Sequence, residues 1–313
     1  MDEFEFIERI RKRVKIKNRG VLLGIGDDCA ILRINRDALI TVDSAVEDVH
    51  FKMGWGLAYQ LGRKLVRANI SDLFSKGGEG VAAFLSVGVN MGDKRKANFI
   101  SRYIDGVIDE LNAYKIELSG GNVSAVKDRC FFDLFLLGSL KKGNFRGRNG
   151  ASPSDLIAID GPIGDSSAGL FILSKGLEKR GYERLIERFL NPEIKPHYKS
   201  RIWDYVTSSI DISDGLIGDL GHILKSSRCG ARVDVDRIPV SDILREFCKK
   251  HGLDIFEFIL SGGEDYRLLV TLRSNTPQSL IEKSNFVVIG NITKGSALQL
   301  LGVRGKYTSF KHF

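Results

Sequence analysis

Five short acidic segments could do chemistry, because each places a carboxylate beside small residues within or next to an apolar run. They read GIGDDCAIL, TVDSAVEDVHF, NISDL, DISDGL and SGGEDY, at residues 24–32, 41–51, 69–73, 211–216 and 261–266. One such segment alone is most often an Asx turn or a helix cap, in which a side-chain oxygen accepts from nearby backbone N–H groups. Five in one chain favour a joint explanation, in which the aspartates converge on one site.

Converging aspartates imply bound cations. The set Asp28, Asp43, Asp72, Asp211 and Asp214 would bring five negative charges together, which a partly dehydrated cleft does not tolerate without cations. Mg²⁺ prefers hard oxygen ligands and is commonly shared between carboxylates and substrate phosphates. Glycines at 24, 26, 120, 121, 262 and 263 would let backbone N–H groups approach anionic oxygens, although they would equally serve tight turns. The pattern predicts magnesium-dependent phosphate chemistry.

The familiar nucleotide-binding and catalytic motifs are absent from the sequence. Gly305-Lys306 is followed by Tyr307, and Leu300 stands where a P-loop needs its first glycine. Cys29 takes the third glycine position of a dinucleotide fingerprint. The G-x-S-x-G and protein-kinase signatures are missing, and no C-x-x-C or H-x-x-x-H pair indicates zinc. Any nucleotide must therefore be bound by another arrangement.

The elements that must position these residues alternate between helical and strand patterns. Apolar spacing predicts helices near 2–14, 57–76, 93–113, 216–225 and 241–250, and another that begins at Asp165. β-rich runs predict strands at 38–46, 81–89, 130–139, 156–160, 231–236, 266–272 and 286–290. These alternations predict an α/β (α+β) fold.

Length and composition set the class of protein. The chain has 313 residues, 43% of them hydrophobic, and a net charge of 47 − 39 = +8, which is typical of a globular protein. Its length indicates two domains, and the Gly-, Asn- and Ser-rich stretch at 143–155 predicts a boundary that gives domains 1–147 and 148–313. The basic residues are dispersed, which argues against nucleic acid. Without a signal peptide or an apolar span, and with four scattered cysteines, we expect a soluble, cytoplasmic protein with reduced thiols.

A family resemblance joins these observations. GIGDDCAIL, a strand ending in Asp43 followed by His50, NISDL, the GGNVS turn, GDSSAGL, IDISDGLIGDLGHIL and SGGEDYRL occur in order over nearly the whole chain. This combination closely resembles the thiamine-monophosphate kinases of the aminoimidazole-ribonucleotide synthetase-like superfamily, which use ATP without a P-loop. The resemblance implies an N-terminal ATP- and Mg²⁺-binding domain whose mixed sheet pairs across a homodimer, and a C-terminal α/β domain with the active site in the cleft.

The resemblance also implies site residues by motif. Several Mg²⁺ ions would be held by Asp28, Thr41, Asp43, Asp72, Asn122, Asp211 and Asp214. ATP would contact Gly121, Asn122, Arg148 and Ser213, and thiamine monophosphate would contact His50, Glu264 and Phe310. The alternative for Phe310 is a C-terminal plug of the core. No side chain is expected to act as a general base, and Asp72 and Asp211 are expected to be the most critical metal ligands.

Two departures from the family pattern bear on the metals. Family members usually carry Thr where this chain has Val42, and Asp where it has Asn122. We therefore expect weaker occupancy of the metal nearest Asn122, to be tested by Mg²⁺ titration against Asn122→Asp.

The implied reaction is Mg²⁺-assisted, in-line phosphoryl transfer from ATP to thiamine monophosphate, giving thiamine diphosphate. Three alternatives stay open at this point. They are another ATP-using enzyme of the superfamily with a different substrate, a nucleotide-binding protein without turnover, and a basic nucleic-acid-binding protein whose binding would fall steeply with salt.

Overall fold

The computed structural model describes residues 9–14, 19–23, 31–33, 37–90, 94–303, 305 and 307–308. The chain divides into two compact units. Unit 1 is Met1–Leu73 with Gly78–Gly143, and unit 2 is Phe74–Gly77 with Asn144–Phe313. The predicted division after residue 147, with a function assigned to each half, stays a prediction.

Unit 1 contains a four-stranded sheet and two long helices. The short strands β1 (Val21–Leu23) and β2 (Ile31–Leu32) pair with each other. The larger sheet contains β3 (Asp37–Val46), β4 (Gly78–Val89), β5 (Glu117–Ala125) and β6 (Phe131–Leu140), in the order β3-β6-β4-β5. Only β4 and β5, among the pairs of this sheet, run parallel. The helices are α1 (Ala58–Ser75) and α2 (Lys94–Ala113).

The two faces of the unit 1 sheet differ in burial. On one face, Phe132 of β6 is fully buried and its ring stacks on Tyr103 of α2, with 3.8 Å between ring centroids. On the other face, the side chains of Ile40, Val42 and Phe135 are 69%, 48% and 48% exposed. Successive residues of a strand point to opposite faces. The helices therefore cover one face, and the other face is open within the described residues.

Unit 2 is built on a six-stranded sheet. Its strands are β7 (Leu156–Ile159), β8 (Val206–Asp211), β9 (Gly230–Asp234), β10 (Leu268–Leu272), β11 (Val287–Thr293) and β12 (Leu298–Leu301). Their order is β12-β9-β11-β7-β10-β8, and the pairing is antiparallel except between β12 and β9. The helices are α3 (Asp165–Lys175), α4 (Glu183–Leu190), α5 (Leu216–Ser227), α6 (Asp242–His251) and α7 (Gln278–Lys283).

The position of β10 decides where the candidate site lies in unit 2. Ile157 and Ile159 of β7 and Leu269 and Val270 of β10 are all 0% exposed, so these central strands form the core. β10 is antiparallel to β8, and its first residue, Leu268, pairs with Asp211, the last residue of β8. The segment that enters β10 and the loop that leaves β8 therefore meet at one edge of the sheet.

The predicted α/β (α+β) class is confirmed, and two descriptions of motifs are wrong. The GGNVS stretch is part of strand β5 and is no turn. Asp43 lies inside strand β3 and not at its end, since the strand ends at Val46 as the β-rich run 38–46 predicts. The helix predicted near 57–76 is confirmed as α1, which contains NISDL, so Asp72 is in a helical turn. The pairing of the sheet across a dimer stays a prediction. Among the described residues, every helix is too short or too polar to cross a bilayer.

Candidate active site

In unit 1 the structure brings Thr41 and Asp72 together. The Thr41 hydroxyl donates to Oδ2 of Asp72 at 2.5 Å. Asp43 lies two residues along β3 from Thr41, and both pair with the buried β6 residues Leu134 and Leu136. Asp43 therefore shares the helix-covered face with Thr41, and the three predicted oxygen ligands lie on one side of the sheet.

Asn122 lies on the other face of that sheet. The register aligns Asn122 with Ser86 of β4, Asp133 of β6 and Ser44 of β3. The hydroxyl of Ser44 donates to Asp133 at 2.6 Å, and the amide of Asn122 donates to Ser124 Oγ at 2.9 Å. The structure of unit 1 does not bring Asn122 together with the Thr41–Asp72 pair.

Gly121 has a structural reason to be glycine. A Cβ at this position would lie 2.0 Å from the carbonyl oxygen of Leu85 on the neighbouring strand. Strands β4 and β5 therefore approach so closely that no side chain fits there. Its predicted contact with ATP stays a prediction.

His50 has a defined tautomer when it is neutral. The backbone N–H of Val46 donates to Nδ1 of His50 at 3.1 Å. Because Nδ1 accepts, the neutral ring carries its proton on Nε2. The side chain can therefore present an N–H donor to an anionic oxygen.

In unit 2 the predicted residues Asp211, Ser213 and Asp214 lie on the loop between β8 and α5, which we call the DISD loop (Asp211–Gly215). Asp211 is buried, and Ser213 and Asp214 are half-buried. Ile212 donates its N–H to the carbonyl of Arg267 at 2.8 Å and accepts from the N–H of Tyr266 at 2.8 Å. The loop is thus fixed to the segment that enters β10.

That segment, Ser261–Tyr266, is called the SGGED segment here and carries the predicted substrate residue Glu264. The N–H of Glu264 donates to the carbonyl of Ser213 at 2.8 Å. A Cβ on Gly263 would lie 2.2 Å from the same carbonyl oxygen, so glycine is required for this close approach. Glu264 has φ 64°, a left-handed conformation that is uncommon for a residue with a side chain and is concentrated at functional sites. The predicted substrate residue and the predicted metal loop are therefore in direct contact.

Two buried aspartates of these motifs were missed as determinants of the site. Asp219, which is 1% exposed, accepts from the N–H groups of Ser213 and Asp214 at 3.0 Å each. Asp265 accepts from Gly164 at 2.7 Å and from Ser166 at 3.3 Å, and so caps the N-terminus of α3. Both aspartates are part of the acidic motifs, because Asp219 lies five residues after Asp214 and Asp265 directly follows Glu264. The sequence does not show which of these carboxylates is buried.

Burial sets the protonation of these two carboxyl groups. Desolvation, followed by the charge of Asp211, raises the pKa of Asp219 to about 7. Desolvation raises the pKa of Asp265 to about 7, against the opposing effect of its two backbone hydrogen bonds.

The remaining predicted residues lie apart or outside the described part. Arg148 is exposed, and its carbonyl accepts from the hydroxyl of Ser227 at 2.9 Å. Asp28 and Phe310 lie outside the described residues. Their predicted roles in metal and substrate binding stay predictions.

A cavity of about 480 Å³ opens beside the SGGED segment within unit 2. Its apolar lining comes from Leu170 and Phe171 of α3, Leu253 and Phe258. Its polar lining consists of Ser167, Ser174, Asp254, Glu257, Ser261, Gly262 and Thr308. None of these described lining residues is basic, although the chain carries a net charge of +8. Such a lining suits an aromatic ligand that bears positive charge or amino groups.

The donor chemistry of both units fits Mg²⁺. In unit 1 the donors on one face are a hydroxyl and two carboxylates, those of Thr41, Asp43 and Asp72. In unit 2, ligand atoms of Asp214, Asp219 and His222 lie within 4.8 Å of one another. Carboxylate and hydroxyl oxygens are the hard ligands that Mg²⁺ prefers.

Comparisons with known proteins agree with this architecture. The family model "AIR synthase related protein, N-terminal domain" matches residues 26–140, and the corresponding C-terminal domain model matches residues 152–302. Thiamine-monophosphate kinase of Aquifex aeolicus (strain VF5) is 32% identical over 320 residues, which cover 100% of this chain and 98% of the relative.

Solved structures extend the similarity to the fold. The crystal structure of thiamine-monophosphate kinase from Stenotrophomonas maltophilia K279a has a TM-score of 0.82 and 28% identity, and covers 97% of this chain and 98% of that one. AaThiL complexed with AMPPCP and TMP has a TM-score of 0.80 and 29% identity, with 99% and 97% of the two chains covered. The chain therefore belongs to the AIR synthase related family and, within it, to the thiamine-monophosphate kinases.

Proposed function

We propose that this protein transfers the γ-phosphoryl group of ATP to the phosphate of thiamine monophosphate, forming ADP and thiamine diphosphate. The observation that carries the proposal is the position of the SGGED segment, which is hydrogen-bonded to the DISD loop and lines the acidic, aromatic cavity. The complex of AaThiL with AMPPCP and TMP supports it from within the family.

The cavity supports the choice of acceptor. Thiamine monophosphate has a cationic thiazolium ring and an aminopyrimidine ring at one end, and a phosphate at the other. Phe171 and Phe258 offer aromatic faces, while Asp254 and Glu257 offer carboxylates. The rings would enter this cavity, with Glu264 and Phe310 as further contacts, because cations are attracted to aromatic faces and carboxylates. The phosphate would stay outside, towards the DISD loop.

The acceptor phosphate needs no general base. Its second pKa is about 6, so it is largely ionised at neutral pH. The obstacle is the repulsion between two polyanions that must come into line. When bound, Mg²⁺ supplies charge neutralisation and orients the phosphate oxygens. The residues that would hold the ions are Asp28, Thr41, Asp43, Asp72, Asp211 and Asp214, with Asn122 as a ligand of a different ion because it lies on the other face of the unit 1 sheet.

Side chains of this protein would complete the neutralisation. His50 would donate from Nε2 to the acceptor phosphate, since its Nδ1 is occupied by the N–H of Val46. Arg148 would place a guanidinium beside ATP, and Gly121 and Ser213 would contact the nucleotide. These groups bind and orient the two substrates before transfer.

A homodimer is part of the proposal. The open face of the unit 1 sheet carries Ile40, Val42 and Phe135, all at least 48% exposed, and adjoining exposed apolar residues mark interaction surfaces. We propose that two copies of this chain pair through this face.

A cytoplasmic location is proposed from the use of ATP and is supported by the free cysteines Cys130, Cys229 and Cys248.

The proposed function is tested by product identification. Wild-type protein is incubated with Mg-ATP and thiamine monophosphate, and the products are separated by chromatography. We expect equimolar ADP and thiamine diphosphate, and no product from thiamine, which lacks the acceptor phosphate. ADP without thiamine diphosphate would indicate a different acceptor, and ATP binding without ADP would indicate a nucleotide-binding protein without turnover; either result contradicts the proposal.

The cavity assignment makes its own prediction. The double variant Asp254→Asn/Glu257→Gln should raise KM for thiamine monophosphate by about tenfold, because each exposed carboxylate contributes roughly 0.5–1 kcal/mol to binding a cation. KM for ATP should not change. Glu246→Gln, an exposed glutamate of α6, is the matched control. An unchanged KM for thiamine monophosphate in the double variant would exclude this cavity as the ring-binding site.

A further inference from the structure

We propose that Asp219 is a positioning residue of the active site, which sets the direction of the Ser213 and Asp214 side chains by accepting both of their backbone N–H groups. The inference rests on the proposed function, because it assigns a role in placing groups that would meet nucleotide and Mg²⁺. Asp219 itself would contact neither the nucleotide nor Mg²⁺.

The hydrogen bonds of the DISD loop support this role. On one side, Ile212 and Ser213 are bonded to Arg267, Tyr266 and Glu264 through three backbone hydrogen bonds of 2.8 Å. On the other side, the N–H groups of Ser213 and Asp214 both point to Oδ2 of Asp219 at 3.0 Å. Removal of this carboxylate would take away the acceptor of both N–H groups. The carboxylate therefore fixes the half of the loop that carries the functional side chains.

The same contacts decide which ligands the loop can bind. Two successive N–H groups that converge on one point form a concave site for an anion, and such sites hold phosphate in many proteins. Here the carboxylate of Asp219 occupies that site. The N–H groups of Ser213 and Asp214 are therefore not available to phosphate. The loop instead presents the carboxylates of Asp211 and Asp214 and the hydroxyl of Ser213. The loop is built to bind cations, and it would reach the phosphates of ATP through metal ions and through Ser213.

The position of Asp219 on helix α5 makes this arrangement rigid. Asp219 lies in the first turn of the helix, and its own N–H donates to the carbonyl of Gly215 at 3.0 Å. The residue is 1% exposed, so little water competes for its oxygens. Helix α5 thus carries the loop that precedes it.

A direct metal ligand is the alternative role. Ligand atoms of Asp214, Asp219 and His222 lie within 4.8 Å of one another, so proximity alone does not separate the two roles. They differ in what the side chain must supply. Positioning requires only an oxygen that accepts hydrogen bonds, whereas a carboxylate that ligates Mg²⁺ also contributes its negative charge to metal binding, and asparagine loses that charge.

The test compares Asp219→Asn with Asp219→Ala. Asparagine keeps an acceptor oxygen and loses the charge, so we expect its Mg²⁺ requirement and kcat to lie within about threefold of wild type. Alanine loses the acceptor, so we expect about a 10- to 100-fold lower kcat and a 10- to 100-fold higher Mg²⁺ requirement, as is usual for groups that orient metal ligands. Affinity for Mg-AMPPCP, measured by calorimetry, should fall in the alanine variant by a similar factor.

The control is Asp155→Ala. Asp155 is also a buried aspartate, and it accepts from Ser152 N–H at 2.9 Å and Thr207 Oγ1 at 2.7 Å. Asp155 precedes β7, and the DISD loop follows β8. Because β7 and β8 run in the same direction, Asp155 and the DISD loop lie at opposite edges of the sheet. The control should lose stability without a change in Mg²⁺ requirement.

Several results would overturn the proposal. An alanine variant that binds Mg-AMPPCP as wild type does would show that Asp219 positions nothing, and an asparagine variant as impaired as alanine would show a direct ligand. If Asp219→Ala does not fold, amide hydrogen exchange of the wild type decides: the N–H groups of Ser213 and Asp214 should be protected without nucleotide, and unprotected groups overturn the proposal. Absence of thiamine diphosphate in wild type would overturn the proposed function, while the AMPPCP comparison would still decide the role of Asp219.

Discussion

At the scale of single residues, the acidic motifs contain carboxylates with two different tasks. Asp219 and Asp265 are buried and accept backbone N–H groups, which is the cap-like role expected of one isolated acidic turn. Asp72 and Asp43 share one face of the unit 1 sheet with Thr41. The acidic motifs therefore contain both kinds of carboxylate that the sequence allows, structural caps and candidate metal ligands. Which role a carboxylate takes depends on the direction of its side chain, and that direction depends on register within the helix or strand.

Substitution of the proposed metal ligands Asp72 and Asp211 should affect both turnover and the Mg²⁺ requirement. Asp72→Asn and Asp211→Asn should each lower kcat by about 100-fold or more and raise the Mg²⁺ concentration needed for half-maximal rate, because each removes a carboxylate that is proposed to hold Mg²⁺, the ion that would neutralise the phosphates. Asp242→Asn, an exposed aspartate on α6, should leave both quantities unchanged. Initial rates over a Mg²⁺ titration measure them. Unchanged turnover in both site variants would remove these residues from the site.

At the scale of elements, the sequence predicts those with a clean hydrophobic period. Helices α1 and α2 and the apolar strands β4, β6, β7 and β10 follow their patterns closely. Strand β5 was predicted as a turn because Gly120, Gly121 and Asn122 are typical of turns. Strand β8 was not predicted because Thr207, Ser208 and Ser209 are polar; in the fold, Ser208 is 0% exposed and shares a 2.6 Å hydrogen bond with Thr271.

The cap of helix α3 makes a pH prediction. Burial raises the pKa of Asp265 to about 7, above its ordinary value near 3.8. Between about pH 4 and pH 7 the folded state therefore holds a proton that the unfolded state has released, so the free energy of unfolding falls as pH rises through this range, by up to about 4 kcal/mol from this group. Below and above the range Asp265 adds no dependence.

Urea unfolding of wild type and Asp265→Asn at pH 4, 5.5, 7 and 8.5 tests this. The variant should lose part of the decline between pH 4 and pH 7, because asparagine does not titrate, while it keeps an oxygen for the N–H of Gly164. Asp219 titrates in the same direction in both proteins and cancels in the comparison. Parallel curves for the two proteins would contradict the assignment.

At the scale of the whole molecule, the open face of the unit 1 sheet predicts self-association. Ile40→Lys and Phe135→Lys each place a charge among the exposed apolar side chains of this face and should convert a dimer to a monomer, since burying an unpaired charge is costly. Leu301→Lys is the control, because Leu301 is 45% exposed in unit 2. Sedimentation velocity reports the mass. A monomeric wild type at micromolar concentration, or a dimer that persists in both variants, would refute this interface.

The order of the strands within the sheets could not be predicted from the sequence. β12 pairs with β9 and β7 lies between β11 and β10, so neighbours in the sheet come from distant parts of the chain. Hydrophobic periods indicate where a strand lies and which face it buries, and they contain no record of its partner. The contact between Glu264 and Ser213 follows from the pairing of β10 with β8, and for that reason only the family resemblance could suggest it.

Asp72 and Asp211 are proposed to hold divalent ions that neutralise the phosphates of the two substrates. The most direct measurement is the number of Mn²⁺ ions bound per chain in the presence of AMPPCP, determined by electron paramagnetic resonance for wild type, Asp72→Asn and Asp211→Asn. We predict more than one ion per chain in wild type and fewer in each variant. One ion per nucleotide, unchanged in both variants, would mean that the metal accompanies ATP alone and that the aspartates do not hold it.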